Sequence, residues 1–370
     1  MIEIRKVTTG KEQKKFVDFP LKLYKGNRCF IPPLYADELK LFKEKSDEYK
    51  AEFFLAYKDK RVVGRIQYIR HDACNKYRNE NRARFGRFDV INDREVAFAL
   101  LDRVFEEARQ DGVDNVHGPL GVDDLEREGL LIEGFDRECT FEEQYNAPYY
   151  RDFLEEYGFT KDVDWYEYRL RLPKKDDTDF EEIRDYILNR YKLHYVSDKD
   201  FNKTLKELIP QIFELIDESY GDLYATVPLS DRMQKEIITK FKYFLNKKYG
   251  RLVMDSSGKL VYLSLLFPSL SQVFVGTKGK LTPLVIFRLL KACIFVKNID
   301  LCLVGVTSEY RDKGIGALMV CDLMDFMKAN RIEVIETNLC LEDNVYIRNC
   351  WSRFDYENHK KRRAYVKKVD

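Results

Sequence analysis

The sequence lacks an apolar run long enough to cross a bilayer. It has two markedly apolar stretches. Residues 260–266 are too short to span a bilayer, and residues 284–296 are interrupted by Arg288 and Lys291 and followed by Lys297. A spanning helix needs about 20 consecutive, predominantly apolar residues. We therefore predict no membrane span and expect both stretches to be buried core elements.

Paired cysteines and an excess of one charge are also missing. The eight cysteines are scattered without C-x-x-C spacing, which is typical of reduced, mostly buried thiols and predicts neither disulfides nor a metal site. Basic and acidic residues nearly cancel, leaving a net charge of +1, so no overall field recruits nucleic acid or an anionic membrane. The N-terminus lacks the apolar core of a signal peptide. We expect a cytoplasmic protein without a nucleic-acid partner.

The length and the order of patterns indicate a repeated unit. At 370 residues the chain suits about two domains. The charged run Pro173–Asp179 is typical of a linker, so we predict units at 1–172 and 180–370. Each half shows two strands around a polar turn, then a long amphipathic helix, a strand and a short helix begun by an asparagine. This order indicates duplication of one α/β unit, with chance similarity of generic segments as the alternative.

The segment LVGVTSEYRDKGIGALM, residues 303–319, is the most informative. A predicted strand at 301–306 leads through a loop containing Arg311, Gly314 and Gly316 into a helix that starts near Ile315. Glycine lets the backbone approach a ligand and adopt positive φ, and a helix N-terminus favours an anion. With Lys313 adding charge, the loop predicts a pyrophosphate site. A plain tight turn with solvated basic residues is the alternative.

Two common phosphate motifs do not fit this loop. Gly316 is followed by Ala317 and Leu318, so the Lys-Ser/Thr end of a Walker loop is missing, as is the three-glycine dinucleotide fingerprint. The spacing Arg311-x-x-Gly314-x-Gly316 instead resembles the Arg/Gln-x-x-Gly-x-Gly/Ala signature of the GNAT acyltransferase superfamily. The predicted order downstream is also similar: a strand at 332–339, a short helix at 344–351 and a last strand at 364–369.

This resemblance implies an α/β protein of two tandem GNAT-like units, each with a mixed, mainly antiparallel central sheet flanked by helices. It implies an N-acyltransferase that uses acetyl-CoA or another acyl-CoA, no metal, and a small-molecule or peptide amine as acceptor. By the resemblance, backbone N–H groups from Val304 to Val306 polarise the thioester. The donor is held by Arg311, Lys313, Gly314, Ile315, Gly316 and Ala317.

The first half is expected to be a degenerate unit. It enters its long helix, residues 94–110, through Asp93 and has no glycine nearby. Asp93 is suited to cap the helix, and its carboxylate repels a pyrophosphate. We predict that only the C-terminal unit binds acyl-CoA.

Candidate catalytic residues follow the glycine loop in the sequence. The resemblance implies a tyrosine that protonates the leaving thiolate; the expected turn at 347–351 has none, and Tyr346 lies one turn earlier, with packing between helix and sheet as its alternative role. Glu336 and Asn338 alternate along one strand and project to one face, which could border the acceptor. The alternatives to Glu336 as a base are a solvated residue or the partner of an arginine at the edge of the core.

The basic run near the C-terminus and the function of the chain each have more than one interpretation. The basic run at residues 360–363 could bind the 3′-phosphate of coenzyme A or a polyanion, with a solvated hairpin turn as the alternative. The missing tyrosine and the absence of an acid from the strand at 301–306 favour a catalytically silent ligand-binding module as a rival function. A Fem-like aminoacyl transferase is the third function, although the near-neutral charge argues against an RNA donor.

Overall fold

A computed structural model describes residues 1–44, 46–123, 126–174, 180–197, 201–241 and 248–370. These residues form two compact units. The first unit contains Met1–Tyr166, Leu270–Ala292 and His359–Asp370, and the second contains Glu167–Ser269 and Cys293–Asn358. The chain passes between the units four times, whereas the predicted units, 1–172 and 180–370, are each one continuous stretch. Residues 175–179 of the predicted linker lie outside the described residues.

Both units contain strands and helices. The strands are β1 (Ile2–Lys6), β2 (Tyr49–Lys58), β3 (Arg61–His71), β4 (Arg82–Val90), β5 (Asn115–Gly118), β6 (Leu130–Glu133), β7 (Thr160–Arg171), β8 (His194–Tyr195), β9 (Gly250–Met254), β10 (Leu260–Pro268), β11 (Asn298–Val306), β12 (Val334–Thr337), β13 (Cys340–Leu341) and β14 (Asp355–Lys368). The helices are α1 (Gly10–Leu23), α2 (Tyr35–Lys40), α3 (Asp72–Arg78), α4 (Arg94–Gln110), α5 (Tyr149–Glu156), α6 (Phe180–Tyr191), α7 (Phe201–Tyr220), α8 (Asp231–Phe241), α9 (Ser271–Phe274), α10 (Pro283–Ile294), α11 (Ser308–Arg311), α12 (Ile315–Asn330) and α13 (Val345–Trp351).

The first unit is built on the strand order β1-β2-β3-β4-β5-β14-β7, with β6 beside β14. Strands β1 to β4 pair antiparallel, and β4 pairs parallel with β5 after the crossover through α4. Helix α4 has the predicted bounds, and its apolar stripe, including Leu100 and Val104, is buried in the main core. The Asp93 carboxylate accepts hydrogen bonds from the Glu95 and Val96 amides, which confirms the predicted cap.

The second unit repeats this arrangement. Its strand order is β7-β12-β11-β10-β9-β8, with β13 beside β7. Strands β8 to β11 pair antiparallel, and β11 pairs parallel with β12 after the crossover through α12. The shared order of an antiparallel meander, a crossover helix and a parallel strand confirms the predicted duplication. Each unit has the predicted mixed, mainly antiparallel sheet with flanking helices.

The interpretation of the basic run at 360–363 was wrong. These residues lie inside β14, which begins at Asp355, nine residues before the predicted last strand. Arg362 is fully buried and pairs with Glu143 at 3.2 Å, while Arg363 donates to Asp164 at 2.7 Å. The run is neither a solvated turn nor free to bind a polyanion, because carboxylates from distant parts of the sequence neutralise its charge.

The two most apolar stretches differ in the structure. Every residue of β10 is buried, as expected. The expectation was wrong for α10: Val285 is buried, but Leu284, Phe287 and Leu290 expose more than half of their surface. No helix in the described part of the chain is long and apolar enough to cross a membrane.

Candidate active site

The candidate site lies where β11 separates from β12. Their parallel register runs from Asn298 opposite Val334 to Leu301 opposite Thr337 and stops there. At this end of the pairing, the side-chain amide of Asn338 donates a hydrogen bond to the Cys302 carbonyl at 2.9 Å. On the other side of β11, the register with β10 shifts so that Cys302 is an extra, bulged residue. The remaining residues of β11, from 303 to 306, therefore have a main-chain edge that β12 does not cover.

Hydroxyl groups from the end of α7 occupy this edge. The Val304 amide donates to Tyr220 Oη at 3.1 Å, and the same hydroxyl donates to the Val304 carbonyl at 2.8 Å. Ser219 Oγ makes the matching pair of 3.2 Å contacts with the amide and the carbonyl of Val306. The two amides predicted to polarise a thioester are thus paired within the protein, and a ligand reaches them by displacing these hydroxyls.

The predicted glycine loop connects β11 to α12 through the short helix α11. Gly314 has φ 81° and ψ 13°, a left-handed conformation that glycine adopts without steric cost. It is the N-cap of α12 and supplies no side chain to the helix amides. The first amides of a helix lack partners within the helix. At α4 the Asp93 carboxylate accepts from two of them, those of Glu95 and Val96, and the equivalent residues of α12 are Gly316 and Ala317.

The four amides at this end differ in their partners. The Gly316 amide donates to Tyr346 Oη at 2.8 Å, and the Ala317 amide donates to the Gly314 carbonyl at 2.9 Å. Within the described residues, no hydrogen bond from the Gly314 or Ile315 amide is seen. Those two donors lie at the positive end of the α12 dipole, where a negative charge is favoured.

The two basic residues before the glycines are held near the loop by neighbours. Arg311 Nη2 donates to the Glu218 carbonyl at 2.7 Å. Lys313 Nζ lies 3.2 Å from Glu309 Oε1 and 4.2 Å from the centre of the Tyr310 ring. Glu218 and Glu309 are acidic neighbours, so the loop is less positive than its basic residues alone suggest.

Tyr346, the candidate proton donor from the sequence, lies against the glycine loop, where its hydroxyl accepts a hydrogen bond from the Gly316 amide. It lies in the first turn of α13, whose N-cap Asn344 accepts a hydrogen bond from the Ile347 amide. A Cβ added at Gly316 would lie 2.4 Å from Tyr346 Oη, so glycine is required for this close approach. Partial burial raises the pKa of the Tyr346 phenol above its usual value, which keeps the hydroxyl protonated at neutral pH.

Glu336 lies on β12 in a row of charged residues across three strands. It is in register with Asp300 of β11 on one side and with Arg169 of β7 on the other. Arg169 Nε donates to Glu336 Oε1 at 2.6 Å, and Glu336 is buried. Asp300 is a buried acid of β11 that the sequence interpretation missed, because the strand was predicted to begin at residue 301 and begins at Asn298.

Asp322 is a buried carboxylic acid in the second turn of α12. Its Oδ1 accepts a hydrogen bond from Tyr195 Oη at 2.8 Å. Burial raises the pKa of Asp322 to about 6, although the Tyr195 hydroxyl partly counteracts this effect. The native state therefore keeps a proton that the unfolded chain loses between about pH 4 and pH 6, and stability falls as the pH rises through that window.

Replacing Asp322 by asparagine is expected to stabilise the protein at pH 7.5. A shift from 3.8 to about 6 corresponds to about 2 to 3 kcal/mol of penalty above pH 6, and the amide avoids it. Urea unfolding at pH 7.5 and pH 4 measures the difference, which should be near zero at pH 4. Asp325→Asn on the same helix, which loses the contact with Arg184, should give no gain. Equal effects of Asp322→Asn at both pH values would contradict the assignment.

No protein-family model matches the sequence. Protein YghO of Escherichia coli (strain K12) is 23% identical over 381 residues, covering 99% of this chain and 95% of that protein. The protein named bacterial ceramide synthase of Caulobacter vibrioides is 24% identical over 327 residues, covering 85% and 82%.

Two solved structures resemble this one over nearly its whole length. A tandem GNAT protein from the clavulanic acid biosynthesis pathway, determined without AcCoA, superposes with a TM-score of 0.55 at 13% identity, covering 100% of this chain and 99% of that one. The GCN5-related glucosamine N-acetyltransferase region of a fungal multi-domain β-N-acetylglucosaminidase gives a TM-score of 0.57 at 11% identity, covering 99% and 38%. The chain has the tandem GNAT fold.

Proposed function

We propose that the protein is an acyl-CoA-dependent N-acyltransferase whose donor binds at the start of α12. The contrast between the two crossover helices carries this proposal. Asp93 satisfies the first amides of α4 with a carboxylate, whereas α12 begins at Gly314 with no side-chain cap. A pyrophosphate is bound by hydrogen-bond donors and repelled by an acid. We therefore expect one acyl-CoA per chain, bound by the second unit.

Different residues of the second unit bind different parts of the acyl-CoA. The Gly314 and Ile315 amides hold a pyrophosphate, with Arg311 and Lys313 supplying charge. Gly316 and Ala317 complete the turn that presents these amides. The pantetheine arm follows the uncovered edge of β11, where it displaces the α7 hydroxyls and accepts hydrogen bonds from the Val304 and Val306 amides. Acetyl-CoA is the first donor to test.

In the proposed reaction an amine attacks the thioester carbonyl: a C–N bond forms, the C–S bond breaks, and the proton that the amine nitrogen loses passes to solvent water. Tyr346 is the proton donor we assign to the departing thiolate, because its hydroxyl is protonated at neutral pH and lies 2.8 Å from the Gly316 amide. Asn338 fixes the end of the β11–β12 pairing. We assign Glu336 to the ion pair with Arg169 and not to the role of base.

Thiol release during incubation with acyl-CoA and a panel of amines tests this function. The panel includes small amines, peptides and a lipid amine, the last because one relative carries the name of a ceramide synthase. Release that depends on an amine supports transfer, and Tyr346→Phe should lower the rate by about 10-fold to 100-fold with little change in KM. No amine-dependent release with any acceptor, despite donor binding, would contradict catalysis.

A catalytically silent binding module is the second candidate function. It is favoured by one observation, the occupation of the β11 edge by Ser219 and Tyr220. In that case the anion position at Gly314 holds a phosphorylated ligand and the edge stays closed. Coenzyme A binding without thiol release from any acyl-CoA is the outcome that selects this function.

Replacing Tyr220 by phenylalanine is expected to strengthen coenzyme A binding about 5-fold. The variant removes a hydrogen bond that competes with the pantetheine arm and is worth about 1 kcal/mol. Calorimetry should show no gain for adenosine 3′-phosphate 5′-diphosphate, which lacks that arm. Tyr157→Phe, which loses a hydroxyl contact with Asp102 in the first unit, is the control. Equal affinity of wild type and Tyr220→Phe for coenzyme A would place the arm elsewhere.

A further inference from the structure

Helix α10 is apolar on both of its sides, although only one side is covered. Val285 and Leu289 pack into a core cluster of the first unit that includes Ile31 and Phe274. The last residue of α10, Ile294, and the next residue, Phe295, belong to the second unit and are 69% and 71% exposed. Within the first unit, the opposite side of α10 carries four exposed apolar residues, and a fifth precedes the helix. These five residues, with their exposed fractions, form what we call the α10 surface: Leu281 (56%), Leu284 (59%), Ile286 (47%), Phe287 (64%) and Leu290 (56%).

An exposed group of this kind usually marks an interaction site. Single exposed apolar residues are common in folded proteins. Consecutive turns of one helix that all expose large apolar side chains are not explained in this way, since contiguous apolar patches are costly in water and are kept for partners or membranes. Among the other exposed aromatic residues, Phe295 directly follows α10, whereas the rest lie far from α10 in the sequence and carry a polar hydroxyl: Tyr77, Tyr186, Tyr346 and Tyr356.

The segment around the α10 surface has only positive charge. Between Leu270 and Ala292 there are four basic residues and no aspartate or glutamate. The four are exposed, and none of them forms a salt bridge within the part of the chain that the structure describes: Lys278, Lys280, Arg288 and Lys291. This local excess contrasts with the overall charge of +1 and gives the α10 surface a definite electrostatic preference.

The charge decides between the possible occupants. In a twofold contact between two copies, the same patch meets itself, so the four cations of one copy would face those of the other. An anionic bilayer surface attracts basic residues and takes up apolar side chains at its headgroup boundary. The helix has 12 residues and is roughly 18 Å long, which suits lying in the interface and is too short to span the bilayer.

We propose that the α10 surface docks the protein on anionic phospholipid membranes. The apolar side chains enter the headgroup boundary, and Arg288 and Lys291 contact lipid phosphates. This docking is peripheral and reversible, and it depends on salt because exposed charges are screened over about 10 Å at 0.1 M. It does not rest on the proposed acyl transfer, since the α10 surface is made of residues of the first unit.

Sedimentation of the full chain with vesicles tests the proposal. We expect binding to vesicles of phosphatidylglycerol and phosphatidylcholine, at least 10-fold weaker binding to phosphatidylcholine alone, and release at 1 M salt. Phe287→Ser with Leu290→Ser, and separately Arg288→Glu with Lys291→Glu, should each reduce binding at least 10-fold. Tyr77→Ser, at a residue that is 50% exposed in the same unit, is the matched control and should bind like wild type.

A fluorescent variant reports insertion directly. Trp165 and Trp351, the two tryptophans of the chain, are buried, so Phe287→Trp adds an exposed reporter. Its emission should shift to shorter wavelength with phosphatidylglycerol vesicles and stay unchanged with phosphatidylcholine. Circular dichroism melts of every variant should match wild type, because all the substituted side chains are exposed.

Three results would overturn the proposal. The first is the absence of vesicle binding by the wild type at low salt. The second is equal binding by wild type and the two double variants. The third is a dimer in light scattering that Phe287→Ser dissociates, with no binding to vesicles; this result would assign the α10 surface to a second copy of the chain.

Discussion

Replacing Gly314 by valine is expected to weaken coenzyme A binding by about 100-fold or more. Gly314 has φ 81°, where a β-branched side chain is strongly disfavoured. A Cβ at this position meets only Ile187 Cδ1, at 3.9 Å, so the effect comes from the backbone and not from a clash. When the main chain changes conformation, the Gly314 and Ile315 amides no longer point to one anion. Two charge-assisted hydrogen bonds are worth about 3 to 6 kcal/mol, which sets the expected loss.

Gly258 provides a matched control for this substitution. It lies in the turn between β9 and β10 with φ 85°, and an added Cβ meets nothing within 4 Å. Gly258→Val therefore carries the same backbone strain at a turn outside the glycine loop. We expect similar losses of stability in the two variants and loss of coenzyme A affinity in Gly314→Val alone. Equal affinity of both variants in calorimetry would remove the glycine loop from the proposed site.

Replacing Arg169 by methionine is expected to destabilise the protein by about 3 kcal/mol. Arg169 donates to Glu336 at 2.6 Å, and Glu336 stands in register with the buried Asp300. Removal of one partner from a buried ion pair leaves an uncompensated charge, which costs about 3 to 5 kcal/mol. Here the remaining carboxylate also faces a second acid on the next strand. Urea unfolding at pH 7.5 measures the change.

The double variant Arg169→Met with Glu336→Leu separates the ion pair from the packing of the two side chains. Because both charges are removed, its stability should return to within about 1 kcal/mol of wild type. Arg94→Met is the control, since Arg94 and Glu156 form a solvent-exposed pair that is worth little. A loss below about 1 kcal/mol in Arg169→Met, or no recovery in the double variant, would show that Glu336 does not depend on Arg169. Glu336 would then again be a candidate for the base.

The features that sequence predicted well are those set by local physics. The bounds of α4 follow from its helical apolar spacing and from Asp93, which satisfies the first amides. Asn344 caps α13 for the same reason. The glycine loop was also readable, because positive φ at Gly314 and a helix start at Ile315 both follow from residues within a few positions.

The features that sequence could not predict depend on distant partners. Arg363 lies in a strand because Asp164, 199 residues earlier, neutralises it. The hydroxyls on the β11 edge come from Ser219 and Tyr220 of α7, which precede their partners Val306 and Val304 by 87 and 84 residues. Asp300 was missed because the polar start of β11 gives no apolar signal. The exposure of α10 depends on which of its faces finds a partner, and an all-round apolar pattern does not contain that information.

Titration of the full chain with coenzyme A by isothermal calorimetry tests the central claim most directly. We expect saturable binding with one molecule per chain, because within the described residues the Gly314 and Ile315 amides at the start of α12 have no hydrogen-bond partner, whereas α4 is capped by the acid Asp93. No binding at millimolar coenzyme A, or two molecules per chain, would contradict it.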